Sequence, residues 1–303
     1  MSLRVVVACI GAFGWVATAS AQELEPRRWT HLPTGTHFFG VGYAYTEGDL
    51  FFDPILEIED ATVRMHTVAL KYIRTFEVLG KSARVDLVGA YQDGSWKGLL
   101  EGAPARADRS GFADPELRLA INLFGAPPLQ KDEFAQYRKG IESETIAGAA
   151  LAVNVPLGEY FDDKLINLGT NRFTIRPQLG LVHNRGKWGT ELTGAVWFFT
   201  DNDDFFGDAR REQDPLFAVQ GHLVYTFRPG LWLACGVGYG HGGESTIDGD
   251  RKDDETQNLV FGASLGIPIT RYFGLKIGYL GTRTQNDTGL DSDSLVTAAS
   301  LLW

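Results

Sequence analysis

The stretch that decides the fold is the C-terminal segment Asp293–Trp303, which reads DSLVTAASLLW. Every second residue falls on one face of a strand, and that face carries Leu295, Thr297, Ala299, Leu301 and Trp303. Soluble chains commonly end in a loose polar tail, whereas this segment keeps its strand pattern up to a terminal aromatic residue. In outer-membrane barrels the final strand closes the sheet, and an aromatic residue anchors its end at the lipid boundary. The alternative is the edge strand of a soluble sandwich.

The N-terminus has the features of a secretory signal peptide. An apolar run from Val5 to Thr18 is followed by Ala19-Ser20-Ala21, a small-residue cleavage site. We therefore expect residues 1–21 to be removed after Ala21. Residues 22–35 are polar and are expected to form a lead-in, and residues 36–303 are expected to form one β-barrel domain.

Composition favours an exported all-β chain. Glycine is abundant, with 36 residues among 303, and aromatic residues make up 12%. Many short alternating segments separated by turn residues predict antiparallel strands. The net charge of −10 argues against nucleic acid as a partner, because such binding needs a basic patch. Cys9 lies in the signal peptide, so the mature chain would keep only Cys235 and could form no internal disulfide.

About twelve strands can be placed, and their connections alternate between short turns and long loops, as in a transmembrane antiparallel barrel of the outer-membrane type. The segments 93–111, 201–214 and 242–255 are expected to be long loops. The exception to the alternation is 125–142, where residues 133–139 could form a short helix that plugs or caps one mouth. Otherwise the strand count is wrong at that point.

The position of charge separates a membrane barrel from a sandwich, because a membrane barrel exposes its apolar face to lipid and turns polar side chains into its lumen. Together with the signal peptide, the terminal aromatic strand and the loop pattern favour the barrel. Alternation then predicts nine lumen-lining residues with a mild basic excess: Lys71, Arg84, Asp86, Glu116, Arg118, Arg176, Glu191, His222 and Lys276. Such charges could also serve only to fill the barrel, since buried charges need partners.

No catalytic, cofactor or metal site is predicted. The acidic run Asp201-Asn202-Asp203-Asp204 offers oxygen ligands for a divalent ion, but it lacks the EF-hand spacing and fits a solvated loop better. His66, His183 and His222 lie on different strands and have no nucleophile or zinc-ligand spacing around them.

Several segments carry a family resemblance. They include EPRRWTHLPTGTHFFGVGYAYTEGDLFFDP from residue 25, LINLGTNRFTIRPQLGL from residue 165, and VWFFTDNDDFFG from residue 196, the last followed by RREQDPL and YTFRPGLW. In these segments the chain resembles the outer-membrane transporter family named for the meta-pathway of phenol degradation. The resemblance implies an outer-membrane β-barrel that admits small, often aromatic or hydrophobic, compounds. It supplies no catalytic residues.

The expectation is therefore a non-enzymatic outer-membrane channel for passive uptake of small molecules. Its expected partners are outer-membrane lipid and lipopolysaccharide, the permeant and the barrel-assembly machinery, whose C-terminal recognition signal the last strand resembles. Two alternatives remain open. One is a structural or surface-interaction barrel that is closed by its own side chains, and the other is a barrel enzyme.

Overall fold

The computed structural model describes residues 24–52 and 58–303, and its elements are almost all strands. In chain order they are β1 (His37–Phe51), β2 (Ile58–Val78), β3 (Lys81–Leu100), β4 (Ala103–Phe112), β5 (Glu116–Phe124), α1 (Lys131–Gly140), β6 (Ser143–Asn154), β7 (Thr174–Arg185), β8 (Trp188–Phe199), β9 (Asn202–Phe205), β10 (Ala209–Gln213), β11 (Leu216–Arg228), β12 (Leu231–Gly242), β13 (Ser245–Ile247), β14 (Asp250–Arg251), β15 (Thr256–Pro268), β16 (Phe273–Thr284) and β17 (Gly289–Leu302).

Twelve of these strands form a closed antiparallel barrel, which confirms the predicted fold class. The order around the wall is β1-β2-β3-β5-β6-β7-β8-β11-β12-β15-β16-β17. The ring closes where β17 pairs with β1, in a register that runs from Phe38 opposite Leu302 to Phe51 opposite Gly289. Closure matters because an open strand edge has no hydrogen-bond partners in lipid.

We call the opening where β1 begins and β17 ends the terminal mouth, and the opposite opening the loop mouth. The wall alternates between an apolar outer face and a polar inner face. On β7, for example, Leu179 is 67% exposed and Leu181 48%, while their neighbour Gln178 is 4% exposed. A soluble sandwich would bury the leucines and expose the glutamine. The inversion is the pattern expected for a wall whose outside contacts lipid.

The expected loop 93–111 is corrected by the structure. β3 continues to Leu100 and turns at Glu101-Gly102, both with positive φ, into β4, which pairs back along it. After the break at 113–115, β5 takes over the pairing with the first half of β3. Glycines and Pro104 in this stretch suggested a loop, but a glycine in the turn is what allows the hairpin its positive φ.

The expected loops 201–214 and 242–255 also contain strands. β9, β10, β13 and β14 form a separate four-stranded sheet over the loop mouth. Strands this short have too little alternation to stand out from turn-rich sequence.

The long connection 125–142 forms α1 at the terminal mouth, so the twelve-strand count stands. Gln130 and Glu133 make a reciprocal capping box at its start, and Phe134 is its buried residue. Within the described residues, no helix has both the length and the apolar character needed to cross a membrane.

Candidate functional site in the lumen

The structure places all nine candidate lumen residues on the inner face of the wall. Each is at most 8% exposed, in contrast to their outward-facing neighbours. They are Lys71, Arg84, Asp86, Glu116, Arg118, Arg176, Glu191, His222 and Lys276.

Several of these charges are paired, either along one strand or between neighbouring strands. Asp86 Oδ2 lies 2.7 Å from Arg84 Nη2 and 3.2 Å from Arg118 Nη1. Arg118 Nε also donates to Gln178 Oε1 at 2.8 Å, and Arg176 donates to Glu116. This arrangement pairs charges that would be costly to bury alone.

The feature that sequence reasoning missed is the position of Leu24–Thr36, which we call the inner segment. It was expected to be a polar lead-in, but it runs up from the terminal mouth inside the barrel. Glu25, Arg28, Trp29 and His31 are each at most 3% exposed. The lumen is therefore occupied over much of its length by the chain itself.

Ion pairs hold the far end of the inner segment. Lys71 Nζ donates to both carboxylate oxygens of Glu25, at 3.1 and 3.2 Å. Arg28 lies 3.7 Å from Glu25 and 3.9 Å from Glu116. The Arg27 backbone N–H donates to Glu191 Oε2 at 2.6 Å. Lys71, Glu116 and Glu191, all predicted to line the lumen, thus contact the segment.

Trp29 anchors the middle of the inner segment in a cradle of two glycines. Gly148 and Gly180 lie directly opposite each other on β6 and β7. A Cβ on Gly148 would lie 2.7 Å from the Trp29 ring, and one on Gly180 would overlap the ring more severely. The indole N–H donates to Thr193 Oγ1 at 2.9 Å, and the Arg118 guanidinium carbon lies 5.0 Å from the ring centroid. A glycine inside a strand often marks a close approach of a large group, and Gly148 and Gly180 are signals of this kind in the sequence.

His31 fixes the segment at the terminal mouth. Its Nδ1 lies 2.8 Å from Glu144 Oε1, and its Nε2 lies 2.8 Å from the Pro127 carbonyl oxygen. The rings of Phe134 and Tyr137 on α1 meet His31 edge-on at 4.9 and 5.3 Å. The helix therefore caps the mouth by packing on the segment.

Two cavities adjoin the tip of the inner segment at Leu24. One is lined by Arg176, Gln178, Thr193 and Trp197. The other is lined by His222, Ser264 and Lys276 among others. Both are small, with room for a few water molecules beside the segment, and basic residues from the predicted lumen set line each of them.

The acidic run at 201–204 has partners of its own. Asp201 pairs with Arg210, and Asn202 Nδ2 donates to Tyr160 Oη at 2.9 Å. Across residues 24–52 and 58–303, no group of three His, Cys, Asp or Glu side chains is arranged to hold a metal ion.

A family model described as "Putative MetA-pathway of phenol degradation" matches residues 59–295. The chain belongs to this family. That finding confirms the resemblance read from the sequence, and it covers most of the wall from β2 to β17.

Solved structures share the fold. The COG4313 outer membrane channel from Pseudomonas putida F1 superposes with a TM-score of 0.76 at 24% identity, over 93% of this chain and 100% of that one. The translocator domain of the autotransporter NalP from Neisseria meningitidis gives a TM-score of 0.49 at 11% identity, over 90% of both chains. No curated protein matches the chain.

Proposed function

We propose that this protein is an outer-membrane channel that lets small molecules enter the cell passively, and that the inner segment is its gate. The observation that carries the proposal is the filling of the lumen. A polar, charged passage is occupied by a segment attached to the wall at one end and held by hydrogen bonds and ion pairs. Cavities already adjoin its tip.

The outer-membrane location is supported by the apolar outer face and by the fold shared with outer-membrane barrels. Outer-membrane barrels have short turns on the periplasmic side and longer loops outside. The terminal mouth would therefore face the periplasm, and the loop mouth would face outward, with lipopolysaccharide around it. The C-terminal strand would be the signal for the barrel-assembly machinery. The signal peptide, with cleavage after Ala21, would deliver the chain to the periplasm and lies outside the described residues.

The inner segment is suited to move because its contacts can be exchanged for water. When the segment leaves, water enters the passage and solvates both partners of each ion pair, which offsets much of the free energy of the lost contact. Its attachment to β1 contains Gly35, whose φ is +74° and whose side-chain position is open. A glycine there lets the chain pivot without steric cost.

The permeant class is proposed from two sources. The family description names phenol degradation, and aromatic side chains accompany arginines along the lumen, as where the Arg176 guanidinium lies 5.1 Å from the Trp197 ring centroid. Small, often aromatic or hydrophobic, compounds fit both. Passive passage changes no bond in the permeant, so the role needs no catalytic residue and no cofactor.

The test is conductance in planar lipid bilayers. The wild-type protein is expected to show brief openings, because the segment closes the lumen for most of the time. A variant that lacks residues 24–33 is expected to conduct steadily. Heat-modifiable gel mobility of both proteins controls for folding.

The filled lumen favours one rival, a barrel that is closed by its own side chains and serves as a structural or surface element. That rival predicts no openings in the wild type and no solute flux into liposomes. If the deletion variant is folded and still does not conduct, the channel proposal is wrong.

A further inference from the structure

Four arginines in and around the small sheet at the loop mouth divide into two classes. Arg210 and Arg251 are exposed, and both are paired with acids. Arg210 meets three carboxylates, those of Asp201, Asp203 and Glu212. Arg251 pairs with Asp214 and Glu244. These pairs are ordinary surface electrostatics in an acidic layer, and they contribute little free energy.

Arg172 and Arg211 are the second class. Arg172 is only 7% exposed, and it donates through Nη2 to the neutral side chain of Gln213. Its Nη1 is buried without a hydrogen-bond partner. Arg211 donates to the hydroxyl of Ser245 at 2.9 Å. Among the described residues, neither guanidinium has a carboxylate oxygen within 4.0 Å, although acids are abundant nearby.

Across the residues that the structure describes, the two cations have no carboxylate in direct contact, and the nearby acids, Asp254 among them, compensate their burial only from a distance. Burial lowers the pKa of Arg172 to about 9, with Arg211 as the next cause, and burial also lowers the pKa of Arg211. Arg172 still carries its charge at neutral pH. Removing an ion from water costs several kcal/mol unless an opposite charge replaces the lost hydration. Because Arg172 Nη1 has no acceptor in the described part of the chain, it keeps a donor for an anion from outside.

The surroundings indicate the kind of anion. The Arg172 guanidinium carbon lies 4.6 Å from the Phe199 ring centroid, and that of Arg211 lies 5.4 Å from the Phe205 centroid. Tyr160 is close enough to Arg211 to influence its charge. A planar guanidinium binds a carboxylate with two parallel hydrogen bonds, and aromatic rings beside it favour a flat, apolar body on the same ligand.

We propose that Arg172 and Arg211 form a binding site for the carboxylate of a small aromatic acid at the loop mouth. The aromatic part of this assignment rests on the proposed channel function, while the anion part rests on the two arginines alone. The site leads into the lumen. Phe199 is two residues from Trp197 on β8, and Arg176 lies over Trp197. A bound acid would therefore stand at the outer end of a row in which arginine and aromatic side chains alternate.

The direct test is isothermal titration calorimetry on the detergent-purified protein, with benzoate as the probe and benzyl alcohol as its neutral counterpart. Benzoate is expected to bind and benzyl alcohol to bind at least tenfold more weakly. Arg172→Gln and Arg211→Gln are each expected to weaken benzoate binding at least tenfold. Arg210→Gln, which removes an exposed arginine from the same sheet, is expected to leave it unchanged.

A structural role for Arg172 makes a different prediction. If its contacts with Gln213 and Phe199 only support the loops, Arg172→Gln should lower the melting temperature of the ligand-free protein. If Arg172 serves to bind an anion, Arg172→Gln without ligand should melt at a temperature at least as high as that of wild type. Benzoate should then raise the melting temperature of wild type but not that of the variant. Failure of benzoate to bind wild type, or equal binding by Arg172→Gln, overturns the proposal. Binding without any conductance would keep the site and refute the channel.

Discussion

The inner segment and the closing strand β17 both come to the terminal mouth, but different interactions hold them. β17 pairs through its backbone with β1 on one side and β16 on the other. The inner segment lies outside every strand and is held mainly by side chains such as Glu25, Trp29 and His31. This difference determines which element can move. A wall strand cannot leave, because its neighbours would lose their backbone hydrogen bonds in lipid, whereas the inner segment can leave if water replaces its partners.

The largest effect is expected from removal of Leu301–Trp303. Losing these residues opens backbone groups of β1 and β16 to lipid, at several kcal/mol for each unsatisfied group. The yield of folded protein in the outer membrane should fall roughly tenfold or more, while synthesis continues. Trp303→Ala should also lower this yield, but by less. Quantitative blotting of membrane fractions on unheated gels measures the folded yield of both variants. A normal yield would show that this segment is not needed to close the barrel.

Deletion of residues 24–33 is the matched change at the other end, and it sharpens the contrast. The wall pairing is untouched, so the yield should stay within about twofold of wild type. Conductance should rise, because the released lumen fills with water. A collapse in yield comparable to that of the C-terminal truncation would show that the segment is part of the folding core rather than a gate.

Gly180→Ala tests the cradle under Trp29. The added methyl group overlaps the indole, and overpacking of this kind costs about 1–3 kcal/mol. The segment should be displaced more often, giving more frequent openings with an unchanged single-channel size. Gly194→Ala on β8 is the control, because a Cβ there meets nothing within 4 Å. If both variants gate like wild type, Trp29 does not secure the segment.

Neutralising Arg118 and Arg176 together tests the charge of the lumen. Asp86 keeps Arg84 at 2.7 Å, and Glu116 keeps Arg28 at 3.9 Å, so both acids retain a base. The double variant Arg118→Gln and Arg176→Gln should therefore fold. Its selectivity should move toward cations, because Coulomb energies in a narrow passage exceed the roughly 1 kcal/mol of bulk water at 4 Å.

Reversal potentials in a salt gradient, measured together with folding yield, decide the outcome. An unshifted potential in an open channel would mean that these arginines do not face the permeating ions. A higher folding yield without a change in conductance would place them on the lipid side.

The smallest effect concerns Cys235. It lies on the outer face of β12 between Leu233 and Val237, which are 39% and 52% exposed toward lipid. Lipid around this thiol excludes water and charged reagents, so a charged maleimide should label Cys235 in intact cells very slowly. Asp204→Cys, in the exposed sheet at the loop mouth, should label at once in the same cells. Rapid labelling of Cys235 would show that its side chain does not face lipid and that the register of β12 is wrong.

The strands of the barrel wall could be predicted from the sequence much more completely than the inner segment. Strand alternation repeats along every wall strand, so residues such as Arg118 and Arg176 could be assigned to the inner face without any contact information. The twelve-strand closure followed from the same repeat and from the terminal aromatic strand. The family match reinforces the wall assignment, since it runs over residues 59–295 and does not include the inner segment.

The inner segment could not be predicted in this way, for a physical reason. Its burial is caused by partners far along the chain, such as Thr193 for Trp29 and Glu144 for His31. It has no periodicity because it belongs to no sheet, and its charges are typical of an exposed tail. The arginines at the loop mouth were missed for a related reason. Arg172 and Arg210 look alike in sequence, and only the fold separates the buried one from the acid-paired one.

The attachment of the inner segment at Gly35 has a kinetic consequence. Thr36 and Thr75 hold the chain at the wall, with the Thr36 backbone N–H donating to Thr75 Oγ1 at 2.9 Å. A displaced segment therefore cannot diffuse away, and it returns as an intramolecular ligand. A short tether gives such a ligand an effective concentration on the order of millimolar. Closing should then be independent of protein concentration. A free peptide with the sequence of residues 24–33 should inhibit the deletion variant half-maximally below that concentration, because the tethered segment keeps the lumen closed for most of the time.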